Sequence, residues 1–218
     1  MIPLIFSTIT GNAFKLAAAA AEVVPDHCGP YNIRYITDEV IDMFDTFIIS
    51  YWCNHGTADD DTIALLSRMK DKNIIIIGTL GAARDSKHGE DVFRNVNELV
   101  SKRNRLVGHY LCRGSIDLKR TARKLRIPEG VKGHLSPERF ERQKESLGHP
   151  DSAELEGVKT AVAGFLAQLE QANPATQLDQ ANPTAQFVQA NPVNPNSNNA
   201  TCGCTNCKHT NSDQAAKA

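Results

Sequence analysis

Through residues 1–168, apolar positions switch repeatedly between strand-like runs and helical spacing. Ile2 to Phe6 is an apolar run of strand length, and Phe14 to Val24 is alanine-rich and helical until Pro25 stops it. Tyr31 to Ile36 and Thr46 to Tyr51 predict the next two strands, the second followed by a helix from Asp59 to Lys70. Asn73 to Leu80 holds consecutive isoleucines, Ile74 to Ile77, a composition suited to a strand buried on both faces. Helix is predicted for Glu90 to Lys102, strand for Arg105 to Cys112, and helix for Ser115 to Leu125, Glu138 to Leu147 and Ala153 to Leu169. Strands separated by helices pair in parallel and carry helices on both faces. The predicted fold class is α/β: a doubly wound five-stranded parallel sheet of order 2-1-3-4-5. Such a sheet binds ligands beyond the carboxyl ends of its strands, at the switch point between the first and third.

The pattern ends near Gln168. Gln-Ala-Asn-Pro occurs at Gln171, Gln180 and Gln189, and charge nearly vanishes. Proline in every unit breaks helices, and few large apolar residues remain to offset chain entropy. Three segments follow from this: a globular domain over 1–168, a flexible linker over 169–200, and a cysteine-rich tail over 201–218.

Composition adds little bias. The chain of 218 residues is 41% hydrophobic with a formal net charge of −1, which gives no argument for nucleic acid or a membrane surface as partner. No apolar run approaches a membrane span, and Met1 to Phe6 reads as a strand rather than a leader. A cytoplasmic location is the expectation. Cys28, Cys53 and Cys112 are scattered and suit a reducing compartment.

The loop Ser7-Thr8-Ile9-Thr10-Gly11-Asn12-Ala13 lies between the first strand and first helix. Its short polar side chains and the amides of the following helix end suit a small anion, and Gly11 lets the backbone close around it. A polar turn that merely caps the helix is the rival reading. With no lysine or arginine before Lys15, the loop is not a nucleoside triphosphate cradle.

Thr8-Ile9-Thr10-Gly11-Asn12-Ala13 resembles the phosphate loop of flavodoxins, [ST]-x-T-G-x-[TA]. The resemblance implies a flavodoxin-like fold with bound FMN. It places the flavin ring between the loops after the third and fourth strands: Tyr51, Trp52, Cys53, Asn54, His55, Gly56 and Thr57 in one, Thr79, Leu80, Gly81, Ala82 and Asp85 in the other. Trp52, the only tryptophan, falls where it can stack on the ring. The resemblance also implies a flexible peptide beside flavin N5, which here is Asn54-His55, His55-Gly56 or Gly56-Thr57. Further phrases, including Cys112-Arg113-Gly114-Ser115-Ile116-Asp117 and His149-Pro150-Asp151, are similar to a subgroup of short flavodoxin-like proteins of anaerobic bacteria that includes the BilS-type group.

Other features carry weaker signals. Asp59, Asp60 and Asp61 suit a helix N-terminus and nothing more. His55 reads as an exposed loop residue, with proton transfer to the flavin as the sharper alternative. Basic residues from Arg113 to Lys144 read as a solvated face, with a redox-partner docking surface as the alternative. In the tail, Cys202, Cys204, Cys207 and His209 form C-x-C-x-x-C-x-H, ligands for zinc or copper(I), with an iron–sulfur cluster a poorer fit.

The expected function is electron transfer between a reductase and an acceptor oxidoreductase through FMN. The competing reading is an FMN-dependent oxidoreductase acting on a quinone or tetrapyrrole. A second dinucleotide fingerprint is lacking, and so is any obvious insertion to build a substrate pocket. Both absences favour the carrier.

Overall fold

The computed structural model describes residues 1–172. The strands are β1 (Ile2–Phe6), β2 (His27–Asn32), β3 (Thr46–Asn54), β4 (Thr57–Ala58), β5 (Asn73–Leu80) and β6 (Arg105–Arg113). The helices are α1 (Asn12–Ala21), α2 (Asp38–Met43), α3 (Asp60–Arg68), α4 (Lys87–Ser101), α5 (Leu118–Ala122), α6 (Pro137–Lys144) and α7 (Ser152–Gln171). The main sheet runs β2-β1-β3-β5-β6 with every neighbour parallel. That is the expected order once the short β4, antiparallel to β3, is set aside.

The isoleucine run explains the layering. Ile74 and Ile76 point into one core with Phe47, Ile49 and Tyr51, under α3 and α4. Ile75 and Ile77 point into the other with Leu4 and Ile48, under α1 and α7. All four isoleucines are fully buried, so β5 reads as a solid apolar run rather than an alternation. Each buried side chain of this size contributes about 1.5–3 kcal/mol.

Several boundaries differ from expectation. The second strand is His27–Asn32 rather than Tyr31 to Ile36, because the Asn32 side chain accepts from Arg34 N–H and turns the chain into a 3-10 turn over Ile33–Tyr35. Ile33 and Ile36 still reach the core, but from the turn. Asp59 caps α3 instead of beginning it, accepting from Thr62 N–H at 3.2 Å. The helix expected from Ser115 starts at Leu118, since Ser115 and Ile116 are held extended by Ser146 and His149. Asp38–Met43 forms a short helix that the periodicity did not signal. At the other end, α7 starts in a capping box, Asp151 with Glu154, and continues through Gln171, two residues past the expected end at Leu169. The remaining linker and the tail ligands Cys202, Cys204, Cys207 and His209 lie outside the described residues. Among the described residues no helix is long and apolar enough to cross a membrane.

The largest difference lies between β6 and α7. Residues 114–151 form an excursion carrying α5 and α6 across the carboxyl edge of the sheet. The expectation of little chain to wall a pocket is corrected by α6, whose Arg139, Arg142 and Gln143 line a cleft there; both helices were expected, but their place at the site was not.

Candidate functional site

The loop after β1 closes through its own side chains. Thr8 Oγ1 accepts from Gly11 N–H at 2.9 Å, and Gly11 sits at a left-handed φ of 87°. A Cβ there would meet nothing within 4 Å, so glycine is required for conformation, not space. The first helical bond runs from Lys15 N–H to Gly11 carbonyl, which leaves the earlier amides of α1 as its unsatisfied donors. Asn12 donates to Thr10 Oγ1 at 3.0 Å and to the Ser115 carbonyl at 2.8 Å, fastening this loop to the one after β6.

Asp59 joins three more elements. It is buried, and its carboxylate accepts from Ser7 Oγ at 2.7 Å, Thr62 Oγ1 at 2.8 Å and Trp52 N–H at 3.4 Å. The reading of Asp59 as only a helix-end charge is thus too small. Asp60 and Asp61 are exposed in the first turn of α3, where Asp61 also pairs with Arg34 at 3.2 Å.

The segment after β3 is a hairpin rather than an open loop. Cys53 pairs with Ala58 and Asn54 with Thr57, leaving His55 and Gly56 as a two-residue turn. Their φ values, 49° and 84°, are both positive, the signature of the hairpin turn whose twist matches its strands. Asn95 Nδ2 donates to the Gly56 carbonyl at 2.9 Å, so the Gly56-Thr57 peptide is held from α4. Burial pushes the Cys53 thiol up despite the opposing Gly56 amide, which keeps it protonated at neutral pH. Burial raises Cys112 further still.

Two adjoining depressions form at the carboxyl ends of the strands. The inner one, about 210 Å³, brings together Ile9, Thr10, Asn12, Trp52, Cys53, Thr79, Leu80 and Gly81. The outer cleft, about 920 Å³, takes in Cys53, His55, Gly56, Gly81 and Ala82. Ser7, Thr8 and Gly11 shape the phosphate-loop candidate, while Ala13 is buried with its carbonyl accepting from Ser50 Oγ. Asn54 and Thr57 close the hairpin.

Two expected residues fall elsewhere. Tyr51 is fully buried in the core, its hydroxyl 3.0 Å from His109 Nε2, because side chains alternate along β3 and Trp52 takes the other face. Asp85 lines a separate depression with Arg84 and Phe93, carried there by the turn into α4.

Sequence reasoning missed the loop after β6. Gly114, Ser115, Ile116, Asp117, Arg120 and Thr121 all line the inner cavity. A Cβ at Gly114 would press on Thr79 and Asn12, so a small residue is needed where the loops meet. The available signal was position: Gly-Ser directly after a parallel strand, at the edge where such sheets bind ligands.

The flavodoxin domain family matches residues 3–163. A flavodoxin-like domain-containing protein BilS from Clostridioides difficile (strain CD3) is 25% identical over 160 residues, 70% of this chain and 88% of its own. The structure of oxidised Flavodoxin 2 from Bacillus cereus is similar with a TM-score of 0.50 at 12% identity, over 77% of this chain and 98% of that one. At that identity the likeness speaks for the fold alone. The match over most of the chain decides the family: this chain belongs to the flavodoxin domain family.

Proposed function

We propose that the domain binds FMN and passes electrons between a reductase and an acceptor oxidoreductase. The observation that carries this reading is the convergence of Thr10, Asn12, Trp52, Thr79 and Gly81, from three separate strand ends, on one cavity at the switch point of the sheet. The residues fit the group. The Ser7 to Ala13 loop offers neutral donors and a helix N-terminus for a monophosphate, and Trp52 offers a ring face. Arg120, also lining the cavity, adds a cation that the loop itself lacks. Bound FMN would supply the one- and two-electron chemistry; the protein orients it and shields it. Purified protein is expected to be yellow and to release FMN rather than FAD on denaturation. A colourless protein that fails to quench the fluorescence of added FMN overturns the proposal.

The 920 Å³ cleft with its α6 wall favours a second reading, an FMN-dependent oxidoreductase acting on a quinone or tetrapyrrole. Rapid bleaching of the flavin by NADPH alone would select the enzyme over the carrier. Separately, the spacing of Cys202, Cys204, Cys207 and His209 supports a soft-metal site for zinc or copper(I) in the tail.

A further inference from the structure

Cys53, Gly81 and Ile116 line both depressions, so the inner cavity opens directly into the outer cleft. Four arginines face that cleft, Arg94 from α4, Arg113 from the end of β6, and Arg139 and Arg142 from α6, against the carboxylates of Asp91 and Glu145. Arg94 pairs with Asp91 at 2.7 Å and Arg113 with Glu145 at 3.5 Å. Arg139 and Arg142 are exposed and make no ion pair among the described residues. Arg113 Nε and Gln143 Oε1 are buried without hydrogen-bond partners, the two such side-chain atoms among the described residues, and both belong to this cleft.

The charge extends past the cleft. Residues 113–144 carry ten Lys and Arg against four Asp and Glu, a net of +6. The whole chain carries −1, so the remainder carries −7. Composition averages this asymmetry away; the fold concentrates it beside the cavity.

We infer that the cleft and the basic face around it dock an acidic surface of a partner protein, an inference that rests on FMN occupying the adjoining cavity. Arg123, Lys124 and Arg126 are exposed along the turn after α5, so the charge is spread over a face rather than focused on one point. A small anion would use only the part inside the cleft. A nucleic acid running past the patch would meet the net −7 of the rest of the molecule. An acidic protein surface matches the size and sign together, and its encounter would be steered over about one Debye length, ~8 Å at physiological salt.

The test uses the isotope-labelled full chain titrated with cytochrome b5, an acidic haem protein, and with cytochrome c, a basic one. Flavin content is read by absorbance on the same samples. Amide shifts with cytochrome b5 are expected to cluster around Arg94, Arg113, Arg139 and Arg142, and the affinity to fall about tenfold between ~10 and ~150 mM salt. An R139Q/R142Q double variant, whose altered side chains make no hydrogen bonds among the described residues, should lose at least about fivefold in affinity with its flavin content unchanged. Salt-insensitive binding, shifts elsewhere, an unaltered double variant, or tighter binding of single-stranded DNA to this face would each overturn the inference. Colourless protein would overturn the FMN reading and this inference with it, whereas yellow protein that fails to dock cytochrome b5 would overturn the inference alone.

Discussion

Lowering the pH should destabilise the domain through one buried histidine. His109 on β6 is 8% exposed, stacked on Phe93 with ring centroids 4.2 Å apart. With Asn97 presenting its amide oxygen, His109 Nδ1 carries the proton and donates at 2.7 Å. Nε2 then accepts from the Tyr51 hydroxyl at 3.0 Å. The neutral ring thus has both nitrogens satisfied. Burial, helped by the cation of Arg84, lowers its pKa from 6.5 to about 3. The unfolded chain therefore binds a proton below pH 6.5 that the native state refuses until about pH 3, so stability falls as pH drops through this window. Well below pH 6.5 each pH unit is worth ~1.4 kcal/mol, and integrating from pH 6.5, where the unfolded ring is already half protonated, to 4.5 removes about 2.3 kcal/mol through this residue. Urea unfolding of wild type and His109→Gln at half-unit intervals isolates the effect, because carboxylate titrations are common to both. The variant should be about 1–3 kcal/mol less stable at pH 7, with the gap closing as pH falls. Parallel stability curves for the two proteins would refute the reasoning.

Further outcomes follow from the site. Gly11→Val forces a branched residue into the left-handed region, with an expected cost of about 1–2 kcal/mol in urea unfolding and weaker FMN binding by fluorescence titration. Asp59→Ala removes a helix cap and strands the buried hydroxyls of Ser7 and Thr62, so a loss of about 2–4 kcal/mol is expected; a change under about 0.5 kcal/mol would contradict its role as a junction. At pH 8, Cys112 should react with a thiol reagent more slowly than Cys28, since burial raises its pKa and leaves it 4% exposed. Full-length protein should carry zinc or copper that a C202S/C204S/C207S variant lacks; equal metal in both by elemental analysis removes the tail site.

The parallel strands were legible because their burial is two-sided. Ile74 to Ile77 cannot sit on a half-solvated strand, and that single run set the sheet centre. β2 was misplaced because it is an edge strand with few apolar residues, His-Cys-Gly-Pro-Tyr-Asn, while the apolar Ile33 and Ile36 belong to the following turn. The phosphate-loop candidate and Trp52 could be singled out as candidates because each lies next to a strand with a clear signal. Tyr51 belongs to β3 itself, so alternation along the strand turns its side chain into the core and that of Trp52 to the other face. Both helices of residues 114–151 were legible, but nothing in their charged, short-range pattern places them beside the carboxyl ends of the strands.

The junction at Asp59 bears on the thermodynamics of ligand capture. One carboxylate fixes the end of β1, the backbone at Trp52 and the start of α3, and Asn12 extends the same fastening to Ser115. Loops tied in this way have surrendered much of their freedom at the folding step, which leaves less ordering entropy to be lost on association. Loosening Asp59 would show as a more unfavourable binding entropy, with every residue that touches the ligand still in place.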